Sequence, residues 1–273
     1  MRKLEYLIVG TPRSGTAYMA RLLTEAGKPC GHESIFGLGG EVFAKQRLTS
    51  LHNGTAKSFQ FNKQDFVRRN KSEYITTSHC SIERKFGNIS IIDNYLDDIL
   101  SITADSSFMS APFLRAQYLA DTKIIHVIRN PLLVINSLVN YCGFFHDRSI
   151  ENQNPFEHFF APYLRRPQKL NPYERACLFW IDWNKMIIDS DRIAYTHRIE
   201  DSVDSLLEFL GSEKRNIYVD IPFNSGGIEL LKRHRFSLRN VSLDIGIELM
   251  NFANGSGYDI SKCLLDNGEA ILN

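Results

Sequence analysis

Two apolar runs set the frame of the chain. Leu4-Glu5-Tyr6-Leu7-Ile8-Val9, ended by Gly10, predicts an opening strand. Lys123-Ile124-Ile125-His126-Val127-Ile128 is near-continuously apolar, the pattern of a strand buried on both faces of a parallel sheet. Between these runs the period changes. Met19, Leu22, Leu23 and Ala26 recur on one face of a helix over Thr16 to Ala26, which Gly27 and Pro29 end. Cys30 to Phe36 then leads into the turn Gly37-Leu38-Gly39-Gly40. From Glu41 to Asn94, polar stretches alternate with short apolar runs such as Tyr74 to Thr77 and Ile89 to Ile92, predicting strands or an insertion over the core.

Further along, the pattern predicts helices over Asn94 to Ile102, Ala111 to Ala120 and Leu132 to Tyr141, with a strand end and turn at Asp105 to Phe108. Cys142 to Pro172, rich in Asn, Pro and Arg, reads as a long lid-like loop. Its aromatics Phe144, Phe145, Phe159 and Phe160 are candidates to stack on an acceptor or to fill the core. Tyr173 to Asp189 is an amphipathic helix whose Trp180 and Trp183 form a core-facing stripe. Ile193 to Ile199 reads as a strand, and Asp201 to Leu210 as a helix capped by Gly211. The tail from Glu229 to Ile260 is mainly helical. This alternation predicts an α/β fold: a doubly wound parallel sheet flanked by helices on both faces, with an extra helical C-terminal part. No linker or composition step divides residues 1–273, so one domain is expected, with 41–94 and 142–172 as acceptor-side insertions.

Composition narrows the classes. The chain is 43% hydrophobic with a formal charge of +1, which supplies core but no broad field for nucleic acid or an anionic membrane. Its five cysteines are far apart and form no C-x-x-C pair, so a reduced, cytoplasmic setting is expected. Strand-like residues begin almost at Met1, and no apolar run approaches the ~20 residues of a membrane span.

The chemistry starts in the loop Gly10-Thr11-Pro12-Arg13-Ser14-Gly15-Thr16, between the first strand and the first helix. Unpaired amides of a helix's first turn, together with its dipole, favour an anion there. The loop fits the glycines of G-x-x-x-x-G-K-S/T, so the sheet is of the P-loop type. Thr16, however, replaces the lysine and Ala17 the Mg²⁺-holding hydroxyl. Nucleoside triphosphate chemistry is therefore poorly served, and the positive charge comes from Arg13. A second constellation follows the buried strand: Arg129-Asn130-Pro131, then Ser137 two turns on. An arginine fork and a hydroxyl at the carboxyl edge of a sheet suit a phosphate monoester. One ligand with two separated phosphate groups would use both constellations.

These residues resemble the PAPS-dependent sulfotransferase superfamily. Thr11 to Thr16 is similar to its 5′-phosphosulfate loop and Arg129-Asn130-Pro131…Ser137 to its 3′-phosphate motif. Trp180 to Asn184 and Arg198 to Asp201 resemble stretches of the prokaryotic and carbohydrate-type branches. The resemblance spans roughly Leu4 to Leu210. It implies transfer of a sulfuryl group from 3′-phosphoadenosine 5′-phosphosulfate (PAPS) to a hydroxyl or amine of a small-molecule or carbohydrate acceptor, in line and without a metal. Pro12, Arg13, Ser14, Gly15, Thr16 and Ala17 would surround the 5′-phosphosulfate, and the amides of Ser14 to Thr16 would hold it. Arg129 and Ser137 would hold the 3′-phosphate, and Tyr18 would lie near adenine or pack in the core.

In-line transfer needs a base. Gly31-His32-Glu33-Ser34 lies where carbohydrate sulfotransferases carry a catalytic glutamate, which makes Glu33 the first candidate, His32 the second and Asp105 the reserve. The third-strand histidine of cytosolic members and the lysine of carbohydrate-type members are both replaced in Asp105-Ser106-Ser107. His79 is too far from Arg129 to match that histidine. The basic segment Lys232-Arg233-His234-Arg235 is either a solvated face or a loop closing on the 3′-phosphate. Two other readings stay open: a non-catalytic relative that binds the donor or its by-product, and a divergent P-loop kinase.

Overall fold

The computed structural model describes residues 3–36, 40–53, 102–141, 145, 165, 170–213, 217, 236 and 238–260. Five strands, β1 (Tyr6–Val9), β2 (Cys30–His32), β3 (Ala104–Ser106), β4 (Lys123–Ile128) and β5 (Ile193–Arg198), form one sheet in the order β2-β3-β1-β4-β5. All four pairings are parallel. Val9 lies beside His126, and Ile128 beside Arg198. The chain leaves β1 toward β2 on one side and leaves β4 toward β5 on the other. Connections diverging from neighbouring strands open a crevice at their carboxyl ends, and both phosphate constellations start there.

Alternation along the strands sorts the core into two layers. Tyr6, Ile8, Ile125 and Val127 face α1 (Thr16–Glu25) and α5 (Asp204–Phe209), meeting Met19, Leu22, Leu23, Leu206 and Leu207. Leu7, Val9, Ile124 and Ile128 face α2 (Gly40–Asn53), α3 (Pro131–Asn136), α4 (Pro172–Ile188) and α6 (Leu243–Gly255). Helices thus cover both faces, as the sequence pattern predicts. Trp180 and Trp183 are fully buried on α4 and serve the core. Phe145, a candidate acceptor contact, is also core: its ring lies 5.4 Å from that of Phe179.

The structure corrects two expectations. Residues 40–53 form a helix rather than strands, because Ala44, Leu48 and Leu51 recur at helical spacing and are buried. Residues 111–120 are not one helix but part of two short 3₁₀ turns, Phe108–Phe113 and Gln117–Leu119. Pro112 inside the first has no N–H to continue an α-helical ladder. The predicted runs at 74–77 and 89–92, most of the helix 94–102, His79, most of the lid 142–172, and 232–235 lie outside the described residues. Among those described, no helix is long and apolar enough to cross a membrane.

Candidate active site

The loop after β1 is closed from within. Ser14 donates both its amide (3.1 Å) and its hydroxyl (2.5 Å) to the carbonyl of Thr11. The Ser14 amide is thus engaged within the loop itself. Gly15 caps α1 at φ 94°, a backbone that glycine alone adopts at no steric cost. A Cβ added there would stand 2.7 Å from Ile199 Cδ1. With no side chain capping α1, its first-turn amides remain open to an anion. Pro12 and Thr16 are buried, Ala17 and Tyr18 half-buried. Tyr18 packs against the α1–α5 layer, and burial pushes its hydroxyl pKa up.

The two phosphate constellations touch. Arg13 Nε donates to Ser137 Oγ at 2.8 Å across 124 residues of chain, and Arg129 Nη1 donates to the Arg13 carbonyl at 3.2 Å. Asn130 caps α3 by accepting the amide of Leu132 (2.9 Å), Pro131 fills the first helical position, and a π-helical turn starts at Ser137. Burial pulls the Arg129 guanidinium down from its ordinary pKa; the Glu200 carboxylate opposes this and the charge of Arg13 reinforces it. Among the described residues, Arg129 Nε and Thr11 Oγ1 are buried without a hydrogen-bond partner. Buried donors of this kind are costly unless something satisfies them, and an anion in the crevice would.

The base candidates line the neighbouring edge. His32 Nε2 lies 3.3 Å from Thr16 Oγ1, at the start of α1, and 3.9 Å from Glu33 Oε1. Glu33 is 3% exposed, holds φ 58°, and donates its amide to the Ser106 carbonyl at 3.0 Å. Ser106 Oγ in turn donates to the Thr16 carbonyl at 2.8 Å, so β3 ties the Glu33 turn to the phosphate loop.

Asp105 has a different place from its neighbours in that set. Its fully buried carboxylate accepts the amides of Ser34 (2.8 Å), Ile35 (3.1 Å) and Phe36 (3.2 Å). Burial pushes its pKa up to about 6, against the pull of those amides and of Arg47. Arg47 on α2 completes the support: its Nη1 donates to the Ser34 carbonyl and lies 3.5 Å from that of Glu33. Sequence reasoning missed Arg47, because nothing local marks a lysine- and arginine-bearing helix as a brace for a turn. Asn136 was equally silent. Asn136 Oδ1 accepts the amide of Phe236 at 3.0 Å, one residue before Ser137.

Together these groups offer an uncapped helix start, two arginines at the same crevice, and a carboxylate beside a histidine at the end of the edge strand β2. A family model described as "Sulfotransferase domain" matches residues 4–221. Among solved structures, the sulfotransferase domain from the Synechococcus PCC 7002 olefin synthase aligns with 18% identity and a TM-score of 0.45, covering 95% of this chain and 97% of that one. No curated protein matches the chain.

Proposed function

Since the chain belongs to the sulfotransferase domain family, we propose that it transfers the sulfuryl group of PAPS to a hydroxyl or amine of a small-molecule or carbohydrate acceptor. The observation that carries this reading is the meeting of Arg13, Ser137 and Arg129 beside the uncapped start of α1. The orphaned Arg129 Nε and Thr11 Oγ1 fit a ligand that brings anionic oxygens to both. Gly15, held at φ 94°, gives the loop the left-handed turn from which the first-turn amides of α1 start, which fits backbone cradling of a phosphate.

In this reading Arg129 and Ser137 bind the 3′-phosphate, which separates PAPS from ATP and AMP. Arg13, with the amides from Gly15 onward, stabilises the charge that develops on the departing 5′-phosphate oxygen. Glu33 accepts the acceptor's proton as the acceptor oxygen or nitrogen bonds to sulfur. The sulfur–oxygen bond to phosphate then breaks with its electron pair leaving on that oxygen, giving adenosine 3′,5′-bisphosphate. His32 sits between Glu33 and Thr16, where it orients the carboxylate or relays its proton. Asp105, with no exposed atom and three backbone amides to hold, serves as an anchor rather than a base. Glu33 and the stretches Trp180 to Asn184 and Arg198 to Asp201 support the prokaryotic and carbohydrate-type branch.

Calorimetry with adenosine 3′,5′-bisphosphate and AMP tests donor recognition. The wild type is expected to prefer the bisphosphate by about a hundredfold or more, the scale of a bidentate charge-assisted contact, and Arg129→Ala to erase the preference. Equal affinities in the wild type would overturn the reading. Transfer of labelled sulfate from PAPS to a panel of glycans and phenols tests turnover. Binding with no transfer to any acceptor would favour a donor-binding relative without catalysis.

A further inference from the structure

The family match ends at residue 221, yet the far C-terminal helix reaches the donor crevice. Just past α6, the Tyr258 hydroxyl donates to Glu200 Oε2 at 2.6 Å and lies 3.1 Å from the Ile128 carbonyl oxygen. The other carboxylate oxygen of Glu200 accepts the Asn130 amide at 3.1 Å. The Glu200 carboxylate therefore bridges the tail of α6 to Asn130, and the Tyr258 hydroxyl itself reaches Ile128, so both residues that flank Arg129 are held. A second tie runs alongside: Arg198 Nη1 donates to the Gly257 carbonyl at 2.5 Å, while its Nε and Nη2 hold the Asp201 carboxylate. The Arg198 guanidinium also lies over the Tyr258 ring, 5.6 Å from its centre. Tyr258 is 7% exposed, so this contact is part of the folded core.

We propose that Glu200 and Tyr258 are positioning residues for Arg129, so that α6 belongs to the 3′-phosphate recognition apparatus. The inference rests on the donor reading above. Its physical content is twofold. Fixing the Ile128 carbonyl and the Asn130 amide sets the backbone on both sides of Arg129, and so the line along which its guanidinium enters the crevice. The Glu200 carboxylate also supplies negative charge that keeps a buried guanidinium tolerable next to Arg13, without forming an ion pair with Arg129 that a phosphate would have to break. A carboxylate spent on a backbone amide and a phenol stays beside Arg129 rather than on it.

Tyr258→Phe removes one hydroxyl and little else, and Glu200→Gln keeps an acceptor for the Asn130 amide while removing the charge. The experiment is calorimetric titration of both full-length variants with adenosine 3′,5′-bisphosphate and with AMP, alongside thermal unfolding. Tyr258→Phe is expected to weaken bisphosphate binding about tenfold, the size of a lost hydrogen bond to a charged group, and to change AMP binding less than about twofold. Glu200→Gln is expected to fall between Tyr258→Phe and wild type in bisphosphate affinity. A merely structural role would weaken both ligands together, and that result, or unchanged binding of both, overturns the proposal. If Tyr258→Phe melts well below wild type, Glu200→Gln alone decides by the same ratio. Failure of the donor reading looks different: the wild type itself would show no preference for the bisphosphate.

Discussion

Arg13 and Glu33 hold φ 72° and φ 58°, left-handed backbone that costs a residue with a side chain about 1 kcal/mol or more. Strain of this kind persists only where the surroundings impose it, and here both residues sit at the crevice assigned to transfer. Glu33→Gln keeps the shape and removes the proton acceptor. It is expected to lower kcat by about 10² to 10⁴-fold while leaving bisphosphate affinity within about twofold. An unchanged kcat would transfer the role to His32. Two other buried groups titrate against each other. Asp105, raised from 3.8 to about 6, binds a proton more tightly when folded, so acidification through that window stabilises the fold. His126, buried against Asn184 at 2.9 Å and lowered from 6.5 to about 4, resists protonation when folded, so acidification from 6.5 to 4 destabilises it. Each effect is about 3 kcal/mol, and they oppose. Relative to wild type, Asp105→Asn should therefore lose stability between pH 7 and 4 and His126→Gln should gain it. Urea unfolding at several pH values checks this; parallel pH profiles for all three proteins would contradict it.

At the scale of elements, α2 acts through Arg47 on the turn that carries Glu33. Arg47→Met keeps the helix and much of the packing but frees two carbonyls. The expected result is a fall of about tenfold in kcat with bisphosphate affinity unchanged, since the phosphate loop keeps its own tie through Ser106. Steady-state kinetics and calorimetry together check it; weaker nucleotide binding would mean that the turn and the loop are one unit. Elements with a strong period were legible in the sequence. β4 is a near-continuous apolar run, and α1 and α4 show a regular buried stripe. α2 was not legible, because Ala44 is small and the stripe it begins with Leu48 and Leu51 is narrow. The segment around Pro112 misled for the opposite reason: helix-forming residues surround a proline that breaks the ladder. In the candidate site, Arg13, Arg129 and Ser137 stood out because each lies in a local motif, and the fold brings the three together. Arg47, Glu200 and Tyr258 did not, since each acts through contacts that only the fold creates.

Across the whole molecule, one parallel sheet separates two apolar layers and gathers the site at its carboxyl edge. β2 and β3 bring Glu33 and His32, β1 brings the phosphate loop, and β4 brings Arg129. The ends of α6 are tied into this frame, Ser242 to Glu174 at 3.0 Å and Tyr258 to Glu200 at 2.6 Å. The central claim is that a single adenosine nucleotide is held at both of its phosphate ends by segments distant in sequence. A crystal structure with adenosine 3′,5′-bisphosphate tests it most directly. The account predicts the 5′-phosphate against the first-turn amides of α1 and Arg13, and the 3′-phosphate on Arg129 and Ser137. A nucleotide whose 3′-phosphate lies in solvent, with Arg129 Nε still unpartnered, would contradict it.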